Sequence, residues 1–143
     1  MNITNPNEKG KVTESLILSY VLQLGYSVSI PFGDKDKYDQ IWDINNKLLR
    51  IQIKTSRLNR QEKNPDQNVS IRFNCKSIIN GQTKKYSKED IDYFATYWGG
   101  KVYMVPVEEC SVEKTLRFTS SQPNQPNINW AKHYEIEEII KRL

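Results

Sequence analysis

The spacing of apolar and polar residues divides the start of the chain into a helix, a strand and a loop. Residues 11–25, KVTESLILSYVLQLG, are apolar enough for a largely buried helix, and Gly25 suits the left-handed conformation that often ends one. Residues 26–30 alternate apolar and polar side chains, which predicts a half-buried strand. The charged segment 31–37 predicts a loop.

Residues 38–54 predict a β-hairpin. Its first strand covers Tyr38–Ile44, and Asn45-Asn46 supplies the turn because asparagine tolerates positive φ. The second strand covers Leu48–Lys54 and separates its aliphatic side chains from its polar ones. Leu49, Ile51 and Ile53 share one face, whereas Arg50, Gln52 and Lys54 share the other.

The rest of the chain predicts a polar loop, further strands and two more helices. Residues 55–68 are polar, and an Asn80-Gly81 turn lies within residues 79–86. Ser87 followed by Asp90 resembles a capping box, which predicts a helix over residues 88–98 that Gly99-Gly100 ends. Strands are predicted over residues 69–73, 101–107 and 115–118, a loop over 120–129, and an amphipathic helix over 134–143.

Length and element order define the expected fold. A chain of 143 residues suits a single domain with one hydrophobic core. A helix, three strands, a second helix and a strand, in that order, predict an α/β fold with a mixed sheet flanked by helices. The net charge of +4 is compatible with a polyanionic partner but does not identify one.

The composition limits which metals and compartments are expected. Cys75, Cys110 and the single histidine, His133, cannot build a structural zinc site, so a bound metal would be a hard cation with oxygen ligands. Since no apolar run reaches the roughly 18 residues of a membrane helix, no membrane partner is expected. A polar N-terminus without a secretory leader favours the cytoplasm.

Four polar residues can meet at one end of the predicted hairpin. Gln52 and Lys54 project from the same face of its second strand, and Asp39 opens the first strand opposite them. Glu14 is the only acid in an otherwise apolar stretch of helix. Taken singly, each residue has an ordinary explanation, such as a solvated strand face, a turn residue or a helix-start acid. Their combination, order and spacing favour a functional site.

These residue types suit metal-assisted cleavage of a phosphodiester bond. Asp39 is the best single metal ligand, and the side-chain oxygen of Gln52 and the backbone carbonyl of Ile53 are further candidates. Glu14 can bind a metal directly or through water. Lys54 can neutralise charge on the phosphate and can orient or deprotonate the attacking water.

The order of helix glutamate, strand aspartate and Gln52-Ile53-Lys54 resembles the PD-(D/E)xK nuclease superfamily. The stretches YDQIWDINNKLLRIQIKTS and KVYMVPVEEC are similar to its group I intron homing endonucleases, which also use QxK, and the similarity covers about residues 9–118. It implies a restriction-endonuclease-like core, Mg²⁺ (with Mn²⁺ as a substitute), sequence-specific cleavage of double-stranded DNA, and a homo-oligomer, either a dimer or a tetramer. Tyr38 stands in place of the motif proline, and Gln52, in place of an acid, removes one negative charge.

Basic residues that follow the candidate site suggest how DNA would be held. Phosphate contacts would set the register, and some side chains would read base edges. The candidates are Arg57, Arg60, Arg72, Lys76, Lys84 and Lys85. A solvated surface explains the same residues equally well. Two further functions stay open, namely a Holliday-junction resolvase or restriction-type nuclease, and a catalytically silent DNA-binding module in which Gln52 marks lost metal binding.

Overall fold

The computed structural model describes residues 4–33 and 35–143, except for the side chain of Ile79. Within these residues, ten strands lie between an N-terminal and a C-terminal helix. The elements are α1 (Pro6–Gln23), β1 (Ser27–Ser29), β2 (Gln40–Ile44), β3 (Lys47–Ile53), β4 (Arg57–Arg60), β5 (Val69–Asn74), β6 (Lys76–Ile79), β7 (Gln82–Lys85), β8 (Tyr93–Trp98), β9 (Lys101–Pro106), β10 (Glu113–Arg117) and α2 (Ile136–Ile140).

The strands form one larger sheet and two smaller ones. The central sheet has the order β1-β2-β3-β8-β9, in which β3 and β8 are parallel and the other neighbours antiparallel. A second sheet has the order β10-β5-β4, and β6 pairs with β7 as a separate hairpin. The prediction of an α/β fold with a mixed sheet is confirmed.

Helix α1 begins at Pro6, five residues before the predicted start. Asn5 caps it, because the Asn5 side chain accepts a hydrogen bond from the backbone N–H of Asn7 at 2.9 Å, and Pro6 suits the first helical turn. Gly25 has a φ of 92°, as predicted for the residue that ends the helix. Within the described ranges, no helix is long and apolar enough to cross a membrane.

The predicted hairpin of residues 38–54 is confirmed, with β2 starting at Gln40. Asn45 and Asn46 have φ values of 52° and 66°, the left-handed conformation that this two-residue turn requires. The register pairs Gln40 with Ile51 and Trp42 with Leu49, so these four side chains share one face of the sheet.

The prediction of a helix over residues 88–98 is wrong. Ser87 and Asp90 do form the expected cap, because the Ser87 backbone N–H donates to the Asp90 carboxylate at 3.0 Å, but only one turn follows. Residues 93–98 instead form β8, which lies between β3 and β9 with Phe94, Ala95 and Thr96 buried. A strand buried on both faces lacks the alternation that reveals a half-buried one.

The prediction of a loop or excursion over residues 55–68 is wrong for part of this segment. Residues 57–60 form β4, an edge strand that pairs with β5. Three of its four residues are exposed, so no apolar alternation marks it in the sequence. The predicted C-terminal helix is shorter than residues 134–143, since a 3₁₀ turn over Ala131–Tyr134 precedes α2.

The central sheet lies between two layers. Helix α1 buries Ile17 and Val21 against the face that carries Gln40 and Ile51. The opposite face carries Phe94, whose ring centroid lies 6.1 Å from that of Phe73 in the second sheet. Gln52 is paired with Phe94 in the register of β3 and β8, so it projects from this second face.

Candidate active site

Asp39 lies immediately before β2, and the backbone fixes its carboxylate. Its N–H donates to the carbonyl of Ile51 at 2.8 Å, and its Oδ2 accepts the N–H of Ile53 at 2.8 Å. Since β2 begins only at Gln40, the N–H of Ile53 lies beyond the regular pairing of the two strands. The carboxylate therefore takes the place of a missing backbone partner and is held against the end of β3.

The peptide groups of β3 alternate between its two neighbours. The carbonyl of Arg50 and the N–H of Lys54 bond to β8 and the residue before it, whereas Ile51 and Ile53 bond toward β2 and Asp39. The carbonyl of Ile53 points to the same side as its N–H, because both groups of one strand residue lie on one edge. A backbone carbonyl and a carboxylate are thus brought together at this end of the strand.

Lys54 is half-buried directly after β3. Its Nζ donates to the backbone carbonyl of Lys76 at 3.0 Å and lies 5.4 Å from the centroid of the Tyr86 ring. Burial lowers the pKa of Lys54, and the negative charge of Asp39 acts in the opposite direction. One of the three ammonium protons is engaged by the carbonyl, so the other two can serve a substrate.

Glu14 is held near the same place by its helix neighbours. The hydroxyl oxygens of Thr13 and Thr55 lie 3.0 Å apart, and the Nε2 of Gln40 donates to the carbonyl of Glu14 at 3.2 Å. These two contacts tie α1 to the residues that follow Lys54 and Asp39. Burial raises the pKa of Glu14, the charge of Asp39 raises it further, and Lys11 lowers it.

The pKa of Asp39, like that of Glu14, is raised mainly by burial. Burial raises the pKa of Asp39, while the hydrogen bond from the Ile53 N–H and the positive charge of Lys54 lower it. Because burial raises the pKa of both carboxylates and the charge of Asp39 also raises that of Glu14, a nearby cation would favour their ionised forms. The arrangement can therefore attract a positive ion.

Gln52 projects from the sheet face predicted from the sequence, and it is half-buried. Its side chain makes no hydrogen bond to another described residue, which leaves the amide oxygen available. Across residues 4–33 and 35–143, no three histidine, cysteine, aspartate or glutamate side chains converge as a metal cluster. Any metal here would depend on two carboxylates, an amide and a backbone carbonyl.

All three predicted DNA-binding lysines lie on one hairpin. Lys76 begins β6, while Lys84 and Lys85 lie on β7, with Lys76 paired to Lys85. The carbonyl of Lys76 is the group that accepts the hydrogen bond from Lys54, so the base of the hairpin contacts the candidate site. Lys84 and Lys85 are exposed.

The predicted arginines occupy the second sheet. Arg57 and Arg72 are paired neighbours in β4 and β5, and Arg57 forms an exposed ion pair with Glu113 at 2.6 Å. Arg57 lowers the pKa of Glu113 most, and Arg72 and Lys76 lower it further, so these cations surround one acid. Arg60 lies at the far end of β4 and pairs with Asp66 at 3.6 Å. The structure therefore groups five of the six basic candidates and separates Arg60.

Sequence reasoning missed the residues that support the site. Gln40 is buried, accepts the indole N–H of Trp42 at 2.9 Å and bonds to the backbone of α1. A glutamine at an apolar position of a strand, directly after Asp39, was a signal for such a link. The contacts of Thr13 with Thr55 and of Lys54 with Tyr86 could not be predicted from local sequence patterns, because they join distant parts of the chain.

Two comparisons relate the sequence and the fold of this chain to known proteins. A model of the PD-(D/E)XK endonuclease family matches residues 4–137. No curated protein matches the chain significantly. The solved structure of a bacterial homing endonuclease, I-Ssp6803I, is similar in fold, with a TM-score of 0.73 over 97% of this chain and 95% of that chain, at 21% sequence identity. Because the family model covers most of its length, the protein belongs to the PD-(D/E)XK endonuclease family.

Proposed function

We propose that the protein is a metal-dependent DNA endonuclease of the homing type, which cuts both strands of a specific DNA sequence. The junction at the end of β3 carries this proposal. There the Asp39 carboxylate is bonded to the Ile53 peptide beside Lys54, and the charge of Asp39 reaches Glu14. The likeness in fold to a solved bacterial homing endonuclease supports the homing type.

The donor set fits Mg²⁺, with Mn²⁺ as an expected substitute. Nucleases of this family generally use divalent metals, and Mg²⁺ typically bonds one or two carboxylates while keeping several waters. The ligands would be Asp39, the Gln52 amide oxygen, the Ile53 carbonyl and Glu14, all of them oxygen donors. When bound, the ion would polarise the scissile phosphate and lower the pKa of an attacking water.

Lys54 would stabilise the negative charge that builds up on the phosphate during cleavage. Its ammonium group is held by the carbonyl of Lys76 and is partly shielded from water, which strengthens its electrostatic effect. Burial also lowers its pKa, so it can exchange a proton with the attacking water more readily than an exposed lysine. We therefore assign the catalytic set as Glu14, Asp39, Gln52 and Lys54.

DNA would lie across the basic residues next to this set. Lys76, Lys84 and Lys85 form one charged hairpin, and Arg57 and Arg72 extend the charge onto the second sheet. A two-stranded ribbon has the dimensions to enter the major groove. Arg60 lies outside this group, so we expect it to contribute less. Since one chain carries one such site, cleavage of both strands requires a dimer at least, and a tetramer meets the same need.

The test replaces site residues and matched residues on the same strands. Asp39→Ala and Lys54→Ala should each lower Mg²⁺-dependent cleavage by about 10²- to 10³-fold, because each removes an interaction made with the reacting phosphate. Asp43→Ala on β2 and Lys47→Ala on β3 should cleave at the wild-type rate. DNA binding by the Lys54→Ala protein should persist and weaken steeply with salt, since phosphate contacts release counterions.

Incubation of the wild-type protein with a genomic DNA library and Mg²⁺, followed by sequencing of the cut ends, identifies the substrate. One recurring sequence cut on both strands agrees with the proposal. Cleavage of four-way junctions without sequence preference would instead identify a resolvase. If no metal concentration yields any product, the protein is a silent DNA-binding module.

A further inference from the structure

A cavity lined by aromatic rings opens at the C-terminal end of β8, away from the residues assigned to catalysis. Its volume is about 490 Å³, which is within the usual range of pockets that bind small ligands. Trp98, Tyr103, Phe118 and Trp130 supply the rings, and we call it the aromatic cavity. Two of the three tryptophans of the chain thus line one cavity, whereas the third, Trp42, is fully buried in the core.

Backbone pairing holds the walls of the aromatic cavity in place. A parallel bridge joins Arg117 to Trp130, and an antiparallel bridge joins Tyr103 to Glu135. The rings of Tyr103 and Phe118 pack edge to face, with their centroids 6.2 Å apart. The aromatic surface is therefore formed before any ligand arrives, and binding does not have to order it, which favours affinity.

The charge around the aromatic cavity is positive. Lys101, Arg117 and Lys132 line it together with one acid, Glu135, which Lys101 contacts at 2.6 Å. Three cations and one carboxylate leave a net charge of +2. Aromatic walls with cations beside them fit a flat, unsaturated ring that carries negative charge nearby. A nucleotide has both features, because its base stacks on aromatic side chains and its phosphate attracts lysine and arginine.

Arg117 connects the aromatic cavity to the basic surface that we propose for DNA. It also lines two further depressions, of about 330 Å³ and 270 Å³, and among the described residues no acidic side chain lines either one. Arg72 lines the second of them, since it pairs with Thr115, which shares a face of β10 with Arg117. Arg72 is in turn paired with Arg57. Cations therefore continue from the DNA surface to the cavity, as the phosphates of one strand would require.

We propose that the aromatic cavity takes up one unpaired nucleobase of a DNA strand, with the flanking phosphates along Arg117 and Arg72. The inference rests on the proposed function, which supplies DNA as the ligand, and it adds a base-binding site outside the catalytic set. The base would stack on Trp98 or Trp130, and Lys132 would contact its phosphate. A single-stranded end and a base displaced from the helix expose the same ring faces, so both are sources of this ligand.

The lining favours an unpaired base over two other occupants. The ring faces of a fully paired duplex are covered by neighbouring bases, so a duplex could use the cations but not the aromatic walls. The side chains of an acidic peptide, aspartate and glutamate, would match the cations but have no ring to place against Trp98 and Trp130. Only an unpaired nucleotide matches both parts of the cavity.

Binding of single-stranded DNA in EDTA, without metal-dependent cleavage, tests the inference. An oligothymidylate of about eight nucleotides should bind the wild-type chain and quench its tryptophan emission, because a base stacked on an indole quenches it. An abasic oligomer of the same length keeps the phosphates and should bind about tenfold more weakly, without quenching. Since Trp42 is buried in the core, the quenching reports on Trp98 and Trp130.

Substitutions in the cavity test where the base binds. Trp130→Ala should raise the dissociation constant for oligothymidylate about tenfold, and Trp130→Phe, which keeps a ring, should raise it less. Phe32→Ala is the matched control, because it removes a fully exposed ring outside the cavity, and it should bind like the wild type. Circular dichroism verifies that each variant is folded. If Trp130→Ala unfolds, the comparison of abasic and normal oligomers on the wild-type chain decides the test.

Two duplexes distinguish the sources of the base. Quenching by a duplex with a single-stranded tail assigns the cavity to a strand end. Quenching only by a blunt duplex with one mismatch assigns it to a base displaced from the helix, since a mismatched base leaves the stack most easily.

The readout is independent of cleavage. A chain that cuts no DNA but binds oligothymidylate with quenching leaves this inference standing while the proposed nuclease function fails. A chain that cuts DNA but shows no quenching at saturation overturns the inference alone. An abasic oligomer that binds as tightly as oligothymidylate also overturns it, as does a folded Trp130→Ala protein with wild-type affinity. If polyglutamate quenches the emission as strongly as DNA does, the cavity is a site for acidic peptides instead.

Discussion

Two pairings of an aspartate with a basic residue lie along the polar face of β3. Arg50 pairs with Asp92 near the middle of the strand, and Lys54 lies near Asp39 at its end. The Arg50 guanidinium donates to both Asp92 oxygens at 3.3 Å and to two backbone carbonyls, of Lys88 and Glu89, at 2.7 Å. The Asp92 carboxylate also accepts the N–H of Arg50 at 2.8 Å. This pair is almost fully satisfied by protein.

Asp39 and Lys54, at the end of the strand, have fewer of their polar atoms hydrogen-bonded. Lys54 and Asp39, both in the described part of the chain, form no direct ion pair, although each shifts the pKa of the other. The protein engages one Asp39 oxygen and one donor of Lys54. Two pairs of similar residue types along one strand can therefore have different roles. A saturated pair holds a turn in place, whereas an unsaturated, half-buried pair has capacity left for a metal and a phosphate.

The largest effect should come from removing one charge from each pair. Asp39→Asn keeps an oxygen that can accept the N–H of Ile53, so the fold should persist while cleavage falls about 10²- to 10³-fold. Asp92→Asn would place an amide NH₂ group against the Arg50 guanidinium and should destabilise the protein by about 1–3 kcal/mol. Cleavage by the Asp92→Asn protein should be preserved below its melting temperature.

Thermal unfolding and cleavage rates, measured on both variants, distinguish the two roles. An Asp39→Asn protein that cuts normally would exclude Asp39 from the site. An Asp92→Asn protein with normal stability but no activity would show that the saturated pair also serves the chemistry.

The positions of Gln52, Lys54 and Asp39 could be predicted from the sequence. Alternation in the second strand placed Gln52 and Lys54 on one face, and the asparagine turn fixed the register that brings Asp39 opposite them. These features are local, because a strand has a period of two and a tight hairpin sets its own pairing. The roles of these residues stay a prediction.

Strand β8 and the contacts of Arg50 could not be predicted from the sequence, because both depend on residues that are far apart in the chain. Ser87 and Asp90 form the local cap that predicted a helix, yet residues 93–98 pair with β3 and β9 because the sheet buries them on both faces. The completeness of the Arg50 pair also depends on the turn at residues 88–92, which the helix prediction would have placed elsewhere. Tertiary pairing overrode local preference in both cases.

A smaller effect is expected from substitution of Gln52, which lies between Arg50 and Lys54 in the sequence. Gln52→Glu restores the acid of the family motif and adds a negative charge near Asp39. The Mg²⁺ concentration that gives half-maximal cleavage should fall severalfold, since each carboxylate strengthens the binding of a hard cation. Metal titrations of cleavage measure this, with Asp43→Asn as a control outside the site. An unchanged titration would place Gln52 outside the metal's reach.

The smallest effects concern stability against pH, where two aspartates should behave oppositely. Burial raises the pKa of Asp39 above its ordinary value of 3.8, whereas the hydrogen bond from Lys37, followed by that from the Ser87 N–H, lowers the pKa of Asp90. The contribution of Asp39 to stability is therefore fully present below its unfolded pKa and is lost as pH rises through its folded pKa. That of Asp90 is present above its unfolded pKa and is lost as pH falls through its folded pKa.

Melting curves in EDTA, from about pH 3 to pH 8, would reveal these opposite signs. Relative to the wild type, Asp39→Asn should be more stable at neutral pH, and Asp90→Asn less stable, with both differences shrinking toward acid pH. The Asp90 effect should be the smaller, because its partner Lys37 is 43% exposed and solvent screens the pair. Mg²⁺ should remove the advantage of Asp39→Asn at neutral pH, since a bound cation stabilises only the ionised wild-type site. If Mg²⁺ leaves that advantage unchanged, Asp39 is a buried acid with no part in metal binding.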